Sequence, residues 1–116
     1  MRVLFAGTPE IAIPSLNALA GSEHELVGVL TTPDRSAGRG RKLFPSPVKQ
    51  RAVELGLPVI QPERLRTEAR ADVAVLEPEL LACVAYGKFF GPKFLGLFPA
   101  GSINLHPSLL PRYRGP

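Results

Sequence analysis

The sequence predicts an α/β fold, a Rossmann-like parallel sheet with flanking helices. Three observations carry that prediction. Five short apolar runs recur along the 116 residues, mostly unbroken rather than alternating, as strands covered on both faces must be. Between them lie stretches with helix start and stop signals. The chain also has 13 prolines and 11 glycines, where average usage would give about 14 of the two together, so turns separate short elements. With 45% hydrophobic and only 21% charged residues, the composition is that of a folded chain and not a disordered one.

Residues 2–6 (RVLFA) are the first strand, ended by Gly7. Thr8, Pro9 and Glu10 read as a helix start: a hydroxyl for the N-cap, a proline in the first turn, an acid near the positive end of the dipole. Ile11, Leu16 and Leu19 supply that helix's inward stripe, Gly21 its stop, and Pro14 predicts a late or distorted start. Residues 26–31 (LVGVLT) are the second strand. The segment after Thr32-Pro33-Asp34, with Ala37, Gly38 and Gly40, is expected to carry no strand or helix pattern. Ser46 and Pro47 open a helix over 48–55, and Gly56 closes it. A third strand follows at 57–60 (LPVI), and the charged stretch beyond predicts a helix over 64–77. The fourth strand is 80–86 (LLACVAY), ended by Gly87; a short helix fits 92–98; the fifth strand is 102–105 (SINL). Strands alternating with helices at this spacing argue for right-handed βαβ units and a parallel sheet.

Several function classes fall away. No apolar run approaches the roughly 20 residues of a membrane span, and the start of the chain reaches Gly and Pro too soon for a signal peptide. A single cysteine, Cys83, excludes an internal disulfide and a Cys-rich metal site; it lies in an apolar strand and reads as an inert core residue. His24 sits in a polar turn, far in sequence from the other histidine, so no metal site is expected, and the predicted location is cytoplasmic. GTPEIA at 7–12 lacks the glycines of a dinucleotide-binding turn, the GRG at 38–40 does not join a strand to a helix, and no Walker A lysine motif exists.

The charge is uneven. All 10 acidic residues lie outside 35–51, which holds Arg35, Arg39, Arg41, Lys42, Lys49 and Arg51; the window carries +6 and the remainder −2. Such a segment fits either a local anionic contact or a solvated loop.

In open parallel sheets, ligands bind outside the carboxyl ends of the strands. At one such end Asn104 and His106 are two apart, so their side chains can share a side. An amide N–H and an imidazole could together polarise a carbonyl oxygen as it becomes an oxyanion; a turn-stabilising Asn with a loop-capping His is the structural alternative.

SINLHPSLLPRYRGP over 102–116 resembles the signature of the folate-dependent formyltransferase family, matching it at Asn104, His106, Ser108, Leu109, Leu110, Pro111 and Gly115. LFAGTPEIA and TTPDRSAGRGRKLFPSPVK are similar to the first strand and turn, and to the insertion after the second strand, of the branch that acts on initiator methionyl-tRNA. The resemblance implies a formyltransferase Rossmann-like domain with 10-formyltetrahydrofolate as donor and the methionyl amine of initiator tRNA as acceptor. It implies that Asn104 hydrogen-bonds the formyl oxygen and His106 stabilises the charge developing there. It also implies folate contacts from Ser108, Leu109, Leu110 and Pro111 with Tyr86 and Gly87 nearby, and tRNA contacts from Arg39 first, then Arg35, Arg41 and Lys42. The family further uses an aspartate beyond the histidine and a C-terminal barrel. No acidic residue follows Glu79 here, so residues 1–116 are expected to be the N-terminal portion of the catalytic domain, without the barrel and inactive alone. A non-catalytic folate- or RNA-binding module, or another folate-dependent formyltransferase or hydrolase, is the alternative. Phe89 and Phe90 depart from the family's usual residues after AYG.

Overall fold

A computed structural model describes residues 1–37, 40 and 42–105. In chain order it runs through β1 (Arg2–Gly7), a 3-10 turn (Glu10–Ala12) leading into α1 (Ile13–Ala20), β2 (Glu25–Leu30), β3 (Arg35–Ala37), β4 (Lys42–Phe44) and α2 (Pro47–Glu54). It continues through β5 (Val59–Ile60), α3 (Thr67–Ala74), β6 (Leu80–Val84), α4 (Pro92–Leu95) and β7 (Ser102–Asn104). Five strands pair in parallel in the order β5-β2-β1-β6-β7. The chain lays strands outward on one side of β1 and then crosses to the other, so the order reverses between β1 and β6.

The alternation along β1 explains why its run had to be apolar throughout. Val3 and Phe5 point to one side, where they pack with Leu16 of α1 and Val48 and Ala52 of α2. Leu4 and Ala6 point to the other, against Val73 of α3 and Phe94 and Phe98 at and after α4. All four β1 side chains are fully buried, each large one contributing about 1.5–3 kcal/mol by leaving water.

The predicted strands and helices all form, with shifted limits and two corrections. Thr8 does not cap the first helix. Pro9 stands at the head of the 3-10 turn, no side chain caps it, and α1 itself starts only at Ile13, with Pro14 in its first turn. The second correction concerns the basic segment, which forms an antiparallel hairpin: Arg35 pairs with Phe44, Ser36 with Leu43 and Ala37 with Lys42. Gly40 lies within the connection at φ +84°, a left-handed conformation open to glycine without strain. The α3 helix is shorter than the charged pattern predicts, because only Ala69 and Val73 anchor it and Glu77 turns the chain at φ +52°. Ser46 caps α2 as expected, its Oγ accepting from the Lys49 amide at 3.0 Å.

Candidate active site at the carboxyl ends of the strands

The reversal of strand order between β1 and β6 opens a crevice outside their carboxyl ends, the place where open α/β sheets hold ligands. Three local features shape it. Gly7 ends β1 where a side chain would not fit: a Cβ there would lie 2.8 Å from the Val84 carbonyl oxygen and 2.9 Å from the Phe5 ring. Thr8 follows, and its Oγ donates to the Tyr86 carbonyl at 2.7 Å, tying the turn after β1 to the turn after β6. Beyond β6 the backbone bends sharply at Ala85 (φ +54°) and Gly87 (φ +99°). For Ala85 that conformation costs about 1 kcal/mol. The bend carries Tyr86 back into the core, where its ring is only 1% exposed and stacks on Phe90 at 5.3 Å between centroids. Phe90 stacks in turn on Phe94, and Phe94 meets Phe98 at a tilt.

Two clefts flank this bend. The first, about 950 Å³, runs from Thr8 and Pro9 past Thr32 and Asp34 to the hairpin residues Arg35 and Phe44, with Lys88 on the far side. The second, about 470 Å³, is lined by Gly87, Phe89, Phe90, Leu95 and Asn104. Both volumes lie in the range of small-molecule sites. Ala85, Tyr86 and Gly87 border both, so a group held in one cleft is separated from the other by a single turn of backbone.

Asn104 reaches the second cleft because β7 pairs with β6 in register Cys83 to Asn104, and the Leu105 amide donates to the Cys83 carbonyl at 2.8 Å. It is exposed, on the same rim as Gly87. Tyr86 borders the site with its ring withdrawn into the core, and Gly87 lies at the surface. Arg35 and Lys42 are exposed on β3 and β4. Arg39, Arg41, His106, Ser108, Leu109, Leu110 and Pro111 lie outside the described residues. Phe90 packs into the aromatic row while Phe89 is 88% exposed beside the second cleft. Cys83 is buried, its thiol pushed above its ordinary range by desolvation against an opposing hydrogen bond from the Tyr86 backbone.

A clamp at the foot of the hairpin joins residues that no sequence pattern links. Lys49 on α2 reaches both carboxylate oxygens of Asp34, at 3.0 and 3.1 Å, and Gln61 donates to Asp34 at 2.8 Å and to the Thr32 carbonyl at 3.2 Å. The Gln61 hydrogen bond first, and Lys49 second, hold the Asp34 carboxyl below its ordinary range. No sequence signal pairs residues 34, 49 and 61, which meet only through the fold. The hairpin itself was legible in principle, as two short runs joined through a glycine. Among the described residues, no three His, Cys, Asp or Glu side chains gather closely enough to hold a metal ion, and no helix is long and apolar enough to cross a membrane.

The family model described as "Formyl transferase" matches residues 1–116. The chain belongs to the formyl transferase family. This formyl transferase chain is 55% identical over 116 residues to methionyl-tRNA formyltransferase of Ectopseudomonas mendocina, covering 99% of itself and 37% of that relative. It is 56% identical over 115 residues to the protein of the same name from Renibacterium salmoninarum, covering 99% of itself and 38% of the relative. The chain thus spans less than two fifths of the curated relatives it matches. Among solved structures, it resembles phosphoribosylglycinamide formyltransferase from Bacillus halodurans, with a TM-score of 0.64 at 21% identity, over 96% of this chain and 58% of that one. Glycinamide ribonucleotide transformylase 1 from Geobacillus kaustophilus is similar at a TM-score of 0.63 and 21% identity, over 98% and 61%. Those two likenesses establish the fold.

Proposed function

We propose that this chain carries part of the catalytic site of an enzyme that transfers a formyl group from 10-formyltetrahydrofolate to the α-amino group of methionyl initiator tRNA. The observation that carries the reading is Asn104, which ends β7 on the rim of a largely apolar cleft beside Gly87, in a chain 55% identical to a methionyl-tRNA formyltransferase. The cleft suits the flat, partly aromatic donor: Phe89, Phe90 and Leu95 offer apolar surface, and the peptide groups around Gly87 offer donors and acceptors. Tyr86 sets the cleft floor through its packing, and residues 108–111 add the remaining folate contacts.

Chemically, the methionyl amine attacks the formyl carbon and the carbonyl electron pair moves to oxygen. The Asn104 Nδ2–H donates to that oxygen, more strongly as charge builds, and His106 adds a second stabilising group. Collapse breaks the bond from carbon to the folate N10, which leaves as the amine of tetrahydrofolate with the proton the attacking nitrogen gives up. The first cleft, reached past Arg35, receives the acceptor end, while Arg39, Arg41 and Lys42 neutralise phosphates along the approach. Lys49 and Gln61 hold Asp34, the residue next to Arg35 at the start of β3.

Binding measurements on the chain with each substrate alone test this reading. The double variant Arg35→Ala/Lys42→Ala is expected to weaken initiator tRNA binding several-fold and to flatten its salt dependence by about two counterions. Binding of 10-formyltetrahydrofolate is expected to stay unchanged. Loss of both affinities together, or of neither, would overturn it.

A further inference from the structure

The hairpin pairs Arg35 directly with Phe44, so the two side chains stand next to each other on one face. Strand alternation adds Lys42 to that face and turns Leu43 to the opposite one. Both Arg35 and Phe44 line the first cleft, and Phe44 is 50% exposed at its lip, inside the 35–51 segment that carries +6. A half-exposed aromatic ring flanked by cations, at the mouth of a cleft, has the elements that unpaired nucleotides use: a flat apolar surface for the base and positive charge for its phosphate. A ring serving only to fill the core would be covered; Phe5, Phe94 and Phe98 are.

We propose that Phe44 is a stacking platform for an unpaired base at the end of the acceptor RNA, with Arg35 beside it on the adjoining phosphate, so that the pair selects a single-stranded end over a blunt one. The proposal rests on the acceptor being RNA, as set out under the proposed function. It goes beyond it by assigning base recognition to a residue of the hairpin stem instead of to charge alone. The occupant follows from the charge of the segment and from the continuity of the Phe44 lip with the cleft below. Phe44 does not border the second cleft, where Asn104 lies, which separates this platform from the donor side.

The chain has no tryptophan, so Phe44→Trp installs a single indole at the lip as a fluorescent reporter. Its emission is followed while the chain is titrated with an RNA stem bearing a single-stranded 3′ overhang, with the same stem cut blunt, and with 10-formyltetrahydrofolate. The overhanging stem is expected to quench the indole and to bind at least several-fold more tightly than the blunt one. Phe44→Ala is expected to weaken the overhanging stem about 5- to 100-fold and leave the blunt stem unchanged, with Phe44→Tyr restoring affinity and Phe44→Leu failing to. Circular dichroism of each variant checks that the fold is kept. Equal binding of both stems, lost on Arg35→Ala, would remove the platform and keep the RNA reading. Binding of neither stem would remove both. Quenching by 10-formyltetrahydrofolate alone, or rescue by leucine, would overturn the platform.

Discussion

Replacing Tyr86 with phenylalanine is expected to make the protein more stable. The ring is 1% exposed, and its hydroxyl, fully buried, makes no hydrogen bond among the described residues. A buried hydroxyl without a partner costs about 1–3 kcal/mol relative to water, while the stacking of the ring on Phe90 needs no oxygen. Tyr86→Phe should therefore gain about 1 kcal/mol near neutral pH, raising the melting temperature of a chain this size by roughly 3–6 °C. The pH dependence gives a second reading. Burial first, and the neighbouring Cys83 second, push the phenol from its ordinary 10 up to about 12. Below pH 10 both folded and unfolded phenols are protonated, and the group adds no pH dependence. Between pH 10 and 12 the unfolded phenol ionises ahead of the folded one, so the wild type loses about 2 kcal/mol over that window. The variant escapes this part of the loss. Urea unfolding of both proteins at pH 7 and pH 11 measures it, and the variant's advantage should widen at the higher pH. A variant less stable than wild type by about 1 kcal/mol or more at pH 7 would show that the hydroxyl is hydrogen-bonded in the folded protein.

Three further outcomes follow from the same geometry. Gly7→Ala is expected to destabilise by about 1–3 kcal/mol, since the new methyl meets the Val84 carbonyl at 2.8 Å; an unchanged thermal melt would contradict the close approach of β1 and β6. Asp34→Asn removes the charge that Lys49 holds and should speed amide exchange in β3 and β4 while β1 and β6 keep their protection; uniform protection would show that the clamp does not steady the hairpin. Because the Asp34 carboxyl sits below its ordinary range, its contribution is present above about pH 4 and is lost as pH falls through the lowered value. Hairpin resonances followed by NMR should change in that acid range in the wild type and not in Asp34→Asn.

What the sequence made legible was the layer structure. Unbroken runs such as 2–6 and 80–86 fit strands covered on both faces, the second ending two residues early at Val84, and Ser46-Pro47 announces α2 through chemistry local to the cap. Local reasoning failed where a side chain's partner is distant in sequence. Thr8 has the composition of an N-cap, yet its hydroxyl serves Tyr86, 78 residues on, and nothing near position 8 reveals that competitor. The hairpin's glycines and charges also suit an irregular loop, and the contacts of Lys49 and Gln61 with Asp34 at its foot join residues distant in sequence. Asn104 could be named as a candidate from its spacing and strand end, but its nearness to Gly87 required the parallel pairing of β6 with β7. The exposure of Phe89 against the burial of Phe90 was equally beyond a pattern that shows two adjacent phenylalanines.

The role proposed for the Asn104 amide, at the end of β7, is to stabilise the formyl oxygen during transfer. It is tested most directly by grafting this chain in place of the matching residues of the Ectopseudomonas mendocina relative, of which it covers 37%, and assaying formylation of methionyl initiator tRNA. The graft is expected to form N-formylmethionyl-tRNA, and Asn104→Ala within it to lower kcat by about 10²- to 10³-fold while the tRNA KM changes less than about threefold. An active graft whose kcat is unaffected by Asn104→Ala would remove Asn104 from the transfer step.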